Sequence, residues 1–357
     1  MDARLAQLPL SAYAREQLSA RLIRLEDEWV RCAKHTAADS VHDLRVAIRR
    51  FGEPLRLFKG LFRKQQRKQV RAELRLNMSL AGRARDADIA RDSFARADIE
   101  LSPELALHLS NERAIAESAL RASLAAGLGS GFGERWRETL GLNGESSWPP
   151  EGALSTNSTA PNCKRSNLWL ETETAAANAR HMLPALLEQF CKAGERLARG
   201  GFDPVSLHAL RLEGKHLRYA LELFRPIYGR RMDDLIAAFK DTQTRLGDIS
   251  DATATTAWLK NQDIHRTPEA QQLQVFLHQR ARKLSAQFVE YWRDHWGLPA
   301  FRQQWVHYLA RYAGQAPTNA VKRPQPAASS IEAAVPGPDE QTSEQDRITS
   351  EGSPSTI

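Results

Sequence analysis

The chain has 357 residues, enough to bury one large core or two moderate ones, and carries 50 Lys and Arg against 43 Asp and Glu for a net charge of +7. Three cysteines, Cys32, Cys163 and Cys191, are too few and too scattered for a disulfide framework or a thiolate metal site, and no apolar run approaches the roughly 18 residues of a membrane span. From Gly314 onward three basic and six acidic residues give −3, which leaves +10 on the rest of the chain, so the charge that would draw a polyanion belongs there.

Met1-Asp2-Ala3-Arg4 does not lead into a signal-peptide core, and the expected setting is a reducing cytoplasm. Residues 11 to 34 read as an amphipathic helix opened by Ser11, with Ala38-Asp39-Ser40 breaking it and capping the next. That next helix, from Val41 to Phe58, carries two faces. His42, Arg45, Arg49 and Arg56 fall within roughly 60° of one another at about 100° per residue, while Leu44, Ile48, Phe51, Leu55 and Phe58 lie on a separate side. Pro54 predicts a kink in it. The run from Arg63 to Arg75 places Lys64, Arg67, Lys68, Arg71 and Arg75 on one side of a helix, either to extend the basic surface or to form a solvated face.

Helical patterns continue from Asp86 to Ala97 and from Ser102-Pro103-Glu104 towards Leu124, until Gly127, Gly129, Gly131 and Gly133 interrupt. Residues 143 to 167, rich in Gly, Pro, Ser, Thr and Asn, read as a linker between a first half, 1 to 142, and a second half, 168 to 313. The second half opens with a helical stretch to Ala198, broken at Gly200-Gly201. The segment from Ser206 to Phe224 follows, with Pro226 and Gly229 as its end, and further helices are expected over 231–246, 250–261, 268–294 and 300–313. No alternating segment of strand length stands out, so the fold class is all-α. The Pro-, Ser- and Glu-rich residues from 314 to 357 hold few large apolar side chains and read as a disordered tail.

The segment from Ser206 to Phe224 repeats the first motif helix. Without a gap, His42 meets His208, Arg45 meets Arg211, Arg49 meets Lys215, Arg50 meets His216 and Phe58 meets Phe224. Here His208, Arg211, Lys215, Arg218 and Tyr219 share roughly a 100° arc beside the apolar face of Leu210, Leu217, Leu221 and Phe224. An internal repeat of this kind predicts two halves related by a pseudo-twofold, with the two basic helices facing each other or flanking one groove.

The paired His-x-x-Arg-x-x-x-Arg/Lys helices, the second ending Leu-Arg-Tyr-Ala-Leu-Glu-Leu-Phe, resemble the CHAD domain, the conserved-histidine α-helical domain. Ala81-Gly82-Arg83-Ala84-Arg85-Asp86-Ala87-Asp88-Ile89 resembles the family's Leu-Gly-x-x-Arg-Asp-x-Asp-Val, and Leu246-Gly247-Asp248-Ile249-Ser250-Asp251 resembles its second copy. The resemblance covers most of residues 1 to 313 and implies a stand-alone CHAD protein of two pseudo-symmetric antiparallel helical bundles around a basic central channel. It departs at Gly52, where the family usually has an arginine equivalent to Arg218.

The resemblance also implies the ligand, inorganic polyphosphate, bound without catalysis and without a cofactor or metal by His42, Arg45, Arg49, Arg50, Arg56, His208, Arg211, Lys215, Arg218 and Tyr219. A role at polyphosphate granules would follow. Guanidinium forks and an ammonium suit a row of phosphate oxygens. The competing structural reading makes the arginines partners of neighbouring acids, such as Arg56 with Glu53, and the histidines packing residues. Nucleic acid is the second class of partner, weighed against the lone aromatic, Tyr219, on the basic stripes. A metal-dependent phosphohydrolase is the third, resting on His42-Asp43 with His35, or on Asp86, Asp88, Asp248 and Asp251. Ala209 stands at the aspartate position of the second copy, and Arg45 beside the first disfavours a divalent cation.

Overall fold

A computed structural model describes residues 2–143, 173–200 and 204–314. Apart from Asn143 and Gly314, the linker expected over 143–167 and the tail expected over 314–357 lie outside the described residues. Eleven α-helices and two 3₁₀ turns make up the described residues, with one isolated bridge, Pro9 to Thr174, and no strand. The chain is all-α.

Helix α1 spans Ala3–Gln7, α2 Leu10–Lys34, α3 Ala38–Leu57, α4 Lys64–Arg96, α5 Pro103–Gly129 and α6 Phe132–Leu140. After the undescribed segment come α7 Ala175–Gly200, α8 Pro204–Tyr228, α9 Arg231–Lys260, α10 Pro268–Asp294 and α11 Pro299–Arg311. The basic-and-apolar helices of the sequence are α3 and α8. In α3 the buried set is Val41, Leu44, Ile48, Phe51 and Leu55, the three-four spacing that drives one face of a helix into a core.

Three boundaries differ from expectation. Helix α3 starts at Ala38 behind Ala37, which makes no side-chain cap, so Asp39 and Ser40 lie inside the first turn rather than before it. Pro54 falls in the last turn of α3, where a missing N–H removes only one late hydrogen bond, and the helix runs on to Leu57 with Phe58 N donating to Pro54 O at 2.8 Å. Pro226 likewise sits inside α8, which ends at Gly229 with φ +81°.

The expected break between 246 and 250 is absent, because α9 runs unbroken through Gly247 as α4 does through Gly82. Close approach explains Gly82 but not Gly247, where a Cβ would make only an ordinary contact. A Cβ on Gly82 would stand 3.1 Å from Arg45 Nη1, and one on Gly247 would stand 4.0 Å from Arg211 Nη2.

Helices α2 to α5 pack in succession and α5 closes back on α2, while α7 to α10 pack in succession with α11 against α7. Helix α3 then packs on α8, and α4 on α9. One apolar cluster runs through both sets. At its centre Phe58 and Phe224 meet edge to face with centroids 6.2 Å apart, and Tyr13 stacks on Phe224 while its hydroxyl donates to Leu223 O at 2.6 Å. A second cluster joins Ala90, Phe94, Leu105 and Leu109 to Leu259, Leu273 and Leu277 at the far end of α4 and α9. Burial on both sides of the α3–α8 contact holds those two helices in fixed register beside a groove.

Candidate functional site

The groove lies where α3, α4 and α8 meet. It encloses about 590 Å³ and is lined by six arginines and a lysine, with Glu53 and Asp86 as its carboxylates. Helix α3 supplies Arg45, Arg49 and Arg56; α4 supplies Arg71, Arg75 and Arg83; α8 supplies Lys215, His216 and Tyr219. An adjoining cavity of about 200 Å³ between α3, α4, α8 and α9 shares Arg45, Arg49 and Asp86 with the groove and adds His208, Arg211, Asp251 and Trp258. The two cavities therefore meet along one line of cations.

Crowding of like charge in a half-buried place has an electrostatic consequence. Burial pulls Lys215 down to about 7, and the neighbouring Arg211, Arg49 and Arg45 push the same way against Asp251. Arg45 is lowered to about 10 by burial and then by Arg49, and Arg211 is lowered by burial. Burial raises Asp86, with Arg45 opposing.

Few of these cations are neutralised. Arg45 Nη1 donates to Met78 O at 3.3 Å, and Arg211 Nη2 lies 3.6 Å from Asp251 Oδ1 with its Nε buried and lacking a partner. Among the described residues Lys215 makes no ion pair, and such a collection is suited to an incoming anion.

A model of the CHAD domain matches residues 12–260 of the chain. The chain belongs to the CHAD family. Among solved structures it is similar to the CHAD domain from the plant Ricinus communis, at 20% identity and a TM-score of 0.54 over 86% of this chain and 93% of that one. It is also similar to PptA from Streptomyces chartreusis, at 16% identity and a TM-score of 0.50 over 84% of this chain and 99% of that one. At such identities the likeness is one of fold. No curated protein matches the chain.

Seven of the ten residues expected at the CHAD site line the two cavities: Arg45, Arg49, Arg56, His208, Arg211, Lys215 and Tyr219. The other three do not. His42 is exposed and lines neither cavity. Arg50, also exposed, reaches across to Glu222 of α8 at 3.4 Å. Arg218 is held away by Gln243, to which its Nε donates at 2.6 Å, and by Glu222, with its guanidinium 4.4 Å over the Tyr219 ring.

The structural reading of Arg56 also holds, since it donates to buried Glu53, and His216 Nδ1 stands 3.0 Å from the same carboxylate. These contacts leave both side chains at the groove wall. Of the basic run on α4, Arg71 and Arg75 line the groove, whereas Lys64, Arg67 and Lys68 do not.

The sequence reading missed Arg83 and His216. A signal for the α4 side was present. Arg71, Arg75, Gly82 and Asp86 fall within roughly 60° on one helix, so the basic run and the glycine-aspartate motif share a face.

Three of the carboxylates weighed for metal chemistry are otherwise engaged. Asp43 pairs with Arg31, Asp88 accepts from Arg113 Nε at 2.9 Å, and Asp251 lies by Arg211. Among the described residues no group of three or more His, Cys, Asp or Glu is placed to hold a metal ion, and no helix is long and apolar enough to cross a membrane.

Proposed function

We propose that this CHAD chain binds inorganic polyphosphate without catalysing its conversion, in the groove between α3, α4 and α8, and that recruitment to polyphosphate granules follows from that binding. The observation that carries the reading is the ratio of charges on one wall-to-wall cavity: six arginines and Lys215 against two carboxylates. A chain of tetrahedral anions answers such a row with one charge per repeat, and guanidinium forks match its oxygens. The matched positions of α3 and α8 on either side also favour a pseudo-twofold arrangement of two bundles around the site.

Titration with orthophosphate, tripolyphosphate and long chains at several salt concentrations tests it. Affinity is expected to climb with length and to fall with salt at a slope of about −0.7 per charge neutralised, the single-strand value. Equal affinity for all three overturns the proposal. Arg49→Glu and Lys215→Glu should each weaken long-chain binding by about tenfold or more, and Arg50→Glu, outside the groove, by much less.

A second reading, single-stranded nucleic acid, gains from Trp258, which adds an aromatic face to that of Tyr219 along the same path. Competition between long-chain polyphosphate and single-stranded DNA at physiological salt decides between them. Preference for DNA selects the second.

A further inference from the structure

A separate cavity of about 270 Å³ opens beside the groove and shares Arg56 and His216 with it. Its character is different. Met182, Leu186 and Phe190 of α7 and Leu217 of α8 form apolar walls, and Lys59, Gln189 and Glu213 add an amine, an amide and a carboxyl to the lining. Arg56 and His216 are fixed at the seam, because buried Glu53 accepts from Arg56 and stands 3.0 Å from His216 Nδ1.

We propose that this pocket takes the base and sugar of a nucleoside polyphosphate whose phosphates run past Arg56 and His216 into the groove. The inference rests on reading the groove as a phosphate site and names a further ligand for it. A ligand here needs an anionic end for the groove and an apolar body for the pocket, with polar atoms to meet Lys59, Gln189 and Glu213. A nucleobase has that form: flat apolar faces, and ring nitrogens and exocyclic amines that pair with an amide and a carboxylate. An acyl chain could fill the walls but would put hydrocarbon against Lys59, Gln189 and Glu213.

The test compares ATP with tripolyphosphate on the full chain by titration calorimetry, since the two share a triphosphate and differ by the nucleoside. ATP is expected to bind at least about tenfold more tightly although it carries less charge. Leu186→Trp, which fills the pocket, should bring the ratio close to one and leave tripolyphosphate affinity unchanged. Should that variant not fold, Gln189→Trp fills the mouth from an exposed position.

A wild-type ratio near one overturns the proposal, as does a ratio that survives filling or octyl phosphate binding as tightly as ATP. The groove is read separately in the same titrations. If tripolyphosphate and long chains both fail to bind, the polyphosphate reading falls; if they bind and only the ATP preference is missing, the pocket assignment alone falls.

Discussion

His216 Nδ1 stands 3.0 Å from Glu53 Oε2, so a histidine of α8 and a buried carboxylate of α3 join at the seam of the groove. The contact has a counterpart. Arg50, which occupies in α3 the position that His216 occupies in α8, reaches 3.4 Å across to Glu222 of α8. Each motif helix thus sends a basic side chain from the same position to a carboxylate on the other, and Arg50 serves the helix contact rather than the groove.

Glu53 engages both Arg56 and His216 and is 4% exposed, which makes it structural first and an electrostatic brake second. Glu53→Ala removes the acceptor for both Arg56 and His216 and should cost about 1–3 kcal/mol of stability, measured by urea denaturation. The same change removes one of the two carboxylates lining the groove, so long-chain polyphosphate should bind more tightly. A drop in affinity at unchanged helicity would mean that Glu53 aims Arg56 at the ligand.

Lys215 gives binding a pH dependence. Below about 7 its ammonium is present in the free protein; above that value the ligand must draw a proton onto it. Affinity for long-chain polyphosphate should therefore be flat in the acid range and fall by up to about tenfold per pH unit as pH rises through 7. Lys215→Arg should flatten the profile. The stability effect has the opposite sense. With a folded pKa depressed below its ordinary value of 10.5, this group penalises folding most fully below 7, and the penalty is relieved as pH rises from 7 towards 10.5. Binding profiles for wild type and Lys215→Arg that coincide would show that the ammonium stays charged throughout.

The two motif helices and their paired faces were legible because apolar and basic residues each recur at helical spacing, and the match of Phe58 to Phe224 anticipated residues that meet in the core. Helix ends were less legible. Pro54, Pro226 and Gly247 are breakers by local preference, yet the first two fall in last turns and the third is carried inside the unbroken α9. The site was read as a stripe on each of two helices, and a stripe does not say which residues face solvent. His42 and Arg218 share their arcs with groove residues, but one lies beyond the cavity and the other is turned aside by Gln243 and Glu222. Arg71 and Arg75 come from a different helix, and only the packing of α4 on α3 brings them in.

Gly52 tests what the groove lacks. Its counterpart in α8 is Arg218, whose guanidinium is engaged with Tyr219, Gln243 and Glu222, so the two sides of the α3–α8 pair are unlike. On the α3 side a Cβ at position 52 would meet only Leu74 Cδ1, at 3.9 Å, and the site opens onto Arg71 and Arg75 of α4. Gly52→Arg should fold, and should gain about 0.5–1 kcal/mol because glycine is a poor helix interior residue. It adds a cation to the groove, so long-chain affinity should rise and the salt slope steepen by about 0.7. If affinity falls while stability rises, the open space at Gly52 is itself occupied by ligand, and the path of the polyanion runs from α3 over to Arg71 and Arg75 rather than along α3.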